Sequence, residues 1–243
     1  MPKEIVVSLQ PIKNYSDWRL SMAFRLGLVP EIKQKVFCIG FQRNGTTSTG
    51  DFCERQLGMA RRGYRTAQRR KWSRCWYQGA LERIFSDPVF RTGQVFDDGP
   101  WWFPKLYETL YERFPQAKFV MFDRDPEAWF RSMVAHSGGR SPGFTDIHAR
   151  IYRREDELRE LSDGDPGNVP AINGFSLEDK KEHYIGIYRQ HNEDAAEFFA
   201  RRAPDRFFRT DLNDPEKFRK MACFLGFEDR SYDEVRSNVI ASK

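Results

Sequence analysis

Residues 36–49 read VFCIGFQRNGTTST: a short apolar run, a polar turn between Gly40 and Gly45, and four hydroxyl residues in a row. The run suits a buried strand and the hydroxyl segment opens a helix near Thr46, giving the strand, glycine loop, helix order that phosphate-binding turns require. Gly40 and Gly45 keep the glycine spacing of G-x-x-x-x-G-K-[ST], but Thr46 stands in the lysine position. The amides and dipole of a helix N-terminus still favour an anion there, by about 0.3–1 kcal/mol. Arg43 restores a cation from before the second glycine, as a planar fork suited to phosphate or sulfate oxygens. Asn44, Gly45, Thr46, Thr47 and Ser48 complete the candidate cradle. Without a lysine beside them the hydroxyls need not ligate magnesium, so no metal is expected.

Working outward, AKFVMFDRD at 117–125 is an unbroken apolar run of the kind buried on both faces of a parallel sheet. GQVFDD at 93–98 is a further strand candidate ending in Asp97 and Asp98, and RFFRTDL at 206–212 another. Helices are expected between them. One starts at Ser16 and carries Trp18, Met22 and Leu26 on a packing face; one enters from Pro100 and places Leu106, Leu110 and Phe114 against the sheet. Pro126 opens a helix to about His136, and Ile185, Tyr188, Asn192, Ala195 and Phe199 mark another from Leu177 to about Arg202. A closing helix follows Asp214 and stops at Gly226. Strands separated by helices indicate an α/β fold with a central, mainly parallel sheet flanked by helices, in one domain over residues 1–243. Gly- and Pro-rich stretches bracket a charged helix around IYRREDELREL, so residues 137–176 read as a lid or a substrate-side excursion.

With 243 residues, 40% of them hydrophobic, the chain can fill one sizeable core. The first residues lack the pattern of a signal peptide and no apolar run approaches a bilayer span, so a soluble cytoplasmic protein is expected. Cys38, Cys53, Cys75 and Cys223 form no metal or disulfide framework, which fits free thiols in a reducing compartment. His183 and His191 can share a helix face, but two ligands do not make a zinc site. The net charge of +5 favours anionic ligands. Residues 61–74 (RRGYRTAQRRKWSR) carry seven cations and no acid, either a polyanion grip or a solvated helix face.

DRDPEAWFRS at 123–132 supplies a second constellation. Arg124 stands at the carboxyl end of the best strand and Ser132 on the second turn of the next helix, where open α/β sheets bind ligands. The two converge on an anionic group separate from that of the first loop.

The ordered pair GFQRNGTTS and RDPEAWFRS resembles the sulfotransferase family, over about residues 36–228. That resemblance implies 3′-phosphoadenosine 5′-phosphosulfate (PAPS) as sulfuryl donor. Arg43, Thr46 and Thr47 then face the 5′ end, where Arg43 shares in catalysis by stabilising the leaving oxygen, and Arg124 and Ser132, eight residues apart, hold the 3′-phosphate. It also implies a base after the strand preceding the second motif. Asp97 and Asp98 stand there; successive strand residues face opposite ways, so one of the two is expected to reach the site, and Asp98 is favoured because, just before Gly99 and Pro100, it stands where the family's D-x-P pattern puts the base. Asp98 as a cap of the helix after Pro100 is the alternative. His136 and His191 are further base candidates, read otherwise as a helix-end cation and a packed polar residue.

The basic R-K-G segment near the C-terminus of well-known cytosolic members has no counterpart here, which leaves adenine binding open. Trp72, Trp101 and Trp102 are stacking candidates, each with core packing as its other role. The acceptor, a hydroxyl or amine on a small molecule or glycan, cannot be read from the chain, nor can oligomeric state; a membrane or nucleic-acid partner is not expected. Two rival readings are a kinase using Asp123 for magnesium and a non-catalytic polyanion-binding protein.

Overall fold

The computed structural model describes residues 16–140, 146–161, 176–233 and 235. Four parallel strands, β1 (Val36–Cys38), β2 (Val95–Phe96), β3 (Lys118–Asp123) and β4 (Phe207–Asp211), form one sheet in the order β2-β1-β3-β4. The chain therefore leaves β1 toward one edge to make β2, then crosses back to make β3 on the other side. That reversal puts the switch point of the sheet between β1 and β3, where a crevice opens beyond their carboxyl ends.

The period of two along each strand builds two cores. Phe37, Phe96, Phe119 and Met121 face Trp72, Phe90, Trp101, Leu110 and Phe199 on one side. Val36, Val95, Val120 and Phe122 face Phe52, Phe218 and Met221 on the other. The first side is covered by α7 (Leu106–Arg113) and α11 (Lys181–Arg202), the second by α2 (Thr46–Arg55) and α12 (Lys217–Leu225). A third cluster lies above the sheet, where Phe41, Trp102, Trp129, Tyr152, Tyr184 and Tyr188 pack among α8 (Pro126–Ser137), α9 (Asp146–Ile151) and α11.

Four sequence expectations change. Helix α1 (Asp17–Arg25) buries Leu20 and Ala23 instead of its larger residues; Trp18 is 70% exposed, Leu26 66% and Met22 40%. The four-residue spacing of Trp18, Met22 and Leu26 therefore marks the outward face, and Leu20 and Ala23 lie on the buried side of a helix that packs beside α6 (Pro88–Arg91). Pro100 does not enter a helix: it follows a cis peptide bond, and turns continue until α7 starts at Leu106. The charged helix is two helices, α9 and α10 (Glu155–Leu161), separated by Arg153 at φ 52°. Ala149, Ile151, Tyr152 and Leu158 are buried, so this part of 137–176 belongs to the core. Residues 141–145 and 162–175, which hold most of both Gly- and Pro-rich stretches, lie outside the described residues. The fourth change concerns the basic stretch. It folds as α3 (Tyr64–Arg69) and α4 (Trp72–Tyr77) and spends most of its charge internally. Arg61 pairs with Asp51 and Asp97, Arg69 with Asp17, Arg70 with Asp87 and Arg74 with Asp146. Arg62 is buried on the carbonyls of Val89, Arg61 and Thr92. No continuous cationic face is left along 61–74.

Candidate active site

The turn after β1 is made by two left-handed residues, Arg43 at φ 70° and Gly45 at φ 73°. Gly45 is needed there on two counts: a side chain disfavours that φ, and its Cβ would lie 2.6 Å from Leu212 Cδ1. The reversal aims the amides of the first turn of α2, at Thr46, Thr47 and Ser48, toward the crevice beyond β1.

Arg43 reaches across to the second constellation. Its Nε donates to Ser132 Oγ at 3.2 Å, across 89 positions of sequence. Arg124, at the end of β3, donates from Nη1 to the Arg43 carbonyl at 3.3 Å. The two constellations that the sequence keeps apart are therefore joined at the switch point. Neither guanidinium has an ion pair with a carboxylate among the described residues. Burial, and then the charge of Arg124, pushes the Arg43 guanidinium below its usual range. Two cations held close together without an acid between them are suited to an anion.

Three residues that the sequence did not single out as functional hold this arrangement. The Tyr188 hydroxyl accepts from Arg124 N and Asn44 Nδ2 and donates to Arg124 O, each at 3.0 Å. Its ring stacks on Trp129 with centroids 4.4 Å apart, and Trp129 Nε1 donates to the Gln42 carbonyl at 2.9 Å. Residues of α8 and α11 thus tie both loops in register. Asp123, the acid a kinase would offer to magnesium, is held by Arg209 and by Asn192 Nδ2. Tyr188 and Asn192 were visible only as members of a helical stripe. No local motif distinguishes a stripe tyrosine that packs from one that hydrogen-bonds a loop 64 residues away.

The end of β2 separates the two acids. Asp97 continues the face of Val95, is fully buried, and receives a fork from Arg61, with Nε to Oδ1 at 2.9 Å and Nη2 to Oδ2 at 2.6 Å. Asp98 continues the face of Phe96, and its Oδ1 accepts the Gly99 N–H at 2.6 Å. No helix begins at Pro100, so Asp98 caps none. Burial raises its pKa above the ordinary carboxylate value, while the Gly99 N–H, the neighbouring Trp102 indole and the Arg61 charge oppose the rise. A partly desolvated carboxylate of this kind is suited to accept a proton.

The histidines and tryptophans are placed differently from the sequence alternatives. His136, in the last turn of α8 and near Arg43, has its pKa lowered by burial and by that guanidinium. His191 is buried with Nε2 on the Ile39 carbonyl at 2.8 Å, and His183 contacts the Tyr152 carbonyl, so the two share no ligand position. Trp72, Trp101 and Trp102 are 1%, 0% and 3% exposed, which leaves no ring face for an adenine.

Among the described residues no helix is long and apolar enough to cross a membrane. No curated protein matches the chain. A family model described as a sulfotransferase domain matches residues 35–231, from the residue before β1 to beyond α12, and so takes in both loops, the Asp97–Asp98 strand end and the Tyr188 clasp. The chain belongs to the sulfotransferase domain family.

Proposed function

We propose that this sulfotransferase-family chain takes its sulfuryl group from PAPS and transfers it to a hydroxyl or amine of a small molecule or glycan. The observation that carries the reading is the joined cluster of Arg43, Arg124 and Ser132 at the switch point, with two guanidiniums and no balancing carboxylate among the described residues. A nucleotide with phosphates at both the 3′ and 5′ positions supplies the two anionic groups that such a cluster and the adjacent helix N-terminus attract.

In the reaction the acceptor oxygen or nitrogen forms a bond to sulfur as the bond from sulfur to the phosphate oxygen breaks. The acceptor proton passes to the Asp98 carboxylate. Adenosine 3′,5′-bisphosphate leaves with the bonding electrons, its new charge met by Arg43 and the first-turn amides of α2. The protein's part is to position the partners and stabilise charge, without a covalent intermediate or a metal.

The test is calorimetric titration with adenosine 3′,5′-bisphosphate in the presence of EDTA. Binding is expected for the native chain. Arg124→Ala should weaken it 10- to 100-fold while affecting adenosine 5′-phosphate much less, because one charge-assisted contact to the 3′-phosphate is lost. Asp98→Asn should keep binding and lose turnover by about 100-fold or more with acceptors found by screening phenols, alcohols, amines and glycans. Magnesium-dependent ATP hydrolysis with no bisphosphate binding would overturn the reading.

A further inference from the structure

Beneath the candidate site lies a buried ion network that the proposed mechanism does not use. Residues 60–62 run along the outer edge of β2: Arg61 bridges Val95 in parallel, Gln94 N donates to the Ala60 carbonyl at 2.7 Å and Arg62 N to the Val95 carbonyl at 2.7 Å. This carries Arg61 under the end of β2, where its fork meets Asp97 and its remaining nitrogen meets Asp51 of α2. Glu54 of the same helix stands 3.9 Å from Arg61. The side chain of Arg61 is 15% exposed and that of Asp97 is fully buried.

The surrounding chain is shaped to this network. A Cβ at Gly50, on α2, would lie 2.3 Å from Asp97 Cγ and 2.5 Å from Arg61 Nε. One at Gly63 would lie 2.9 Å from Asp97 Oδ1 and 3.0 Å from Arg61 Nε. Two glycines on different segments thus leave room for one ion pair. The other titratable groups facing it are the buried thiols of Cys38 on β1 and Cys53 on α2, both raised by burial and by Asp97, and so neutral. On the far side of the strand, Asp98 faces the Gly99 N–H and the Trp102 indole.

We propose that Arg61 is a positioning residue for Asp98: its fork engages both oxygens of the neighbouring Asp97 and holds that carboxylate on the α2 face, which leaves Asp98 as the carboxylate that meets the acceptor. The proposal rests on the reading of Asp98 as the base. Arg61 ties its own edge segment to α2 through Asp51 and to the end of β2 through Asp97, the residue adjacent in sequence to the proposed base. The arrangement has a signed electrostatic consequence. Burial raises Asp97 to about 6 even beside Arg61, and removing Arg61 takes away a charge that lowers Asp98, so the Asp98 titration rises. Removing Asp97 leaves Arg61 less neutralised and lowers it. Removing both returns it toward its starting point.

The experiment follows the carboxyl carbon of Asp98 by NMR in protein labelled with carboxyl-13C aspartate, assigned by loss of its signal in Asp98→Asn. In Arg61→Gln the titration should move up by about one pH unit, in Asp97→Asn down by a comparable amount, and in the double variant back to near the native midpoint. Arg61→Lys, which keeps the charge, should stay near native; if Arg61→Gln does not fold, Asp97→Asn and Arg61→Lys still carry the test. An unmoved Asp98, or both single variants shifting it the same way, would overturn the proposal. Turnover of Asp98→Asn separates the two ideas. If that variant is inactive while Arg61→Gln leaves the titration unmoved, the Arg61 proposal falls alone; if it is fully active, the base reading falls and takes the proposal with it.

Discussion

At the scale of single residues, burial decides which groups titrate. His191 is 6% exposed, and burial lowers its pKa from 6.5 to about 4, partly offset by the Ile39 carbonyl. The unfolded chain therefore binds this proton more readily than the folded one between about pH 6.5 and 4. Stability from His191 is present above pH 6.5 and is lost as pH falls through that window, by up to about 3 kcal/mol. Glutamine at 191 keeps a donor for the carbonyl without titrating. In urea unfolding followed by fluorescence, His191→Gln should flatten the acid side of the stability profile between pH 6.5 and 4. An unchanged slope would show that residue 191 binds its proton equally in the folded and unfolded states. The same scale shows what residue reading can single out and where it stops. Arg124 and Ser132 could be named because a strand end and the second turn of the next helix lie at a fixed separation. Tyr188 could not, because its hydroxyl partners Arg124 and Asn44 come from two other segments.

At the scale of elements, the short helix α6 is held by a residue from β1's approach. Lys35 is fully buried, and its Nζ donates to the carbonyls of Phe90, Arg91 and Gly93 at 3.1, 3.4 and 3.0 Å. It adds a donor to carbonyls at the C-terminus of the helix, two of which also accept the N–H groups of Gly93 and Ile32, and it sits over the Phe90 ring at 4.7 Å. Burial pushes this ammonium down to about 7, opposed by Glu31. Lys35→Met fills similar volume but removes a donor from three carbonyls, of which Phe90 and Arg91 keep the N–H groups of Gly93 and Ile32, so it should cost about 1–3 kcal/mol in denaturant unfolding, against under 1 kcal/mol for an exposed lysine. A loss below 1 kcal/mol would mean that water replaces the ammonium. Element identities were readable from apolar runs, prolines and glycines, as β3, α8 and the Gly226 stop of α12 illustrate. Breaks were less so. The division of 146–161 at Arg153 depends on Tyr152 and Leu158 both reaching the core, a demand imposed by neighbours and not by local spacing.

At the scale of the whole molecule, charge and hydrophobicity are distributed in ways that totals conceal. The excess of five positive charges does not form one field, because most cations of 61–74 have acids or carbonyls of their own. Large apolar residues are left outside on α1 and the segment after it, with Trp18 70% and Leu28 73% exposed. Trp18→Ser and Leu28→Ser should therefore change unfolding free energy by no more than about 0.5 kcal/mol, whereas Leu20→Ala should cost about 2–5 kcal/mol. Comparable losses at Trp18 and Leu20 would contradict the packing of α1.

The sequence by itself determined the α/β class, the glycine loop opening a helix, the cation before Gly45 and the eight-residue step from Arg124 to Ser132. Each of these follows from backbone geometry within one strand-turn-helix unit, where position along the chain sets position in space. Only the tertiary structure decided that Arg43 reaches Ser132, that Asp97 is taken by Arg61 while Asp98 is not, and that three tryptophans are interior. Those outcomes depend on strand order and on close packing between segments far apart in sequence. Such packing selects one partner among several cations or acids that are locally equivalent.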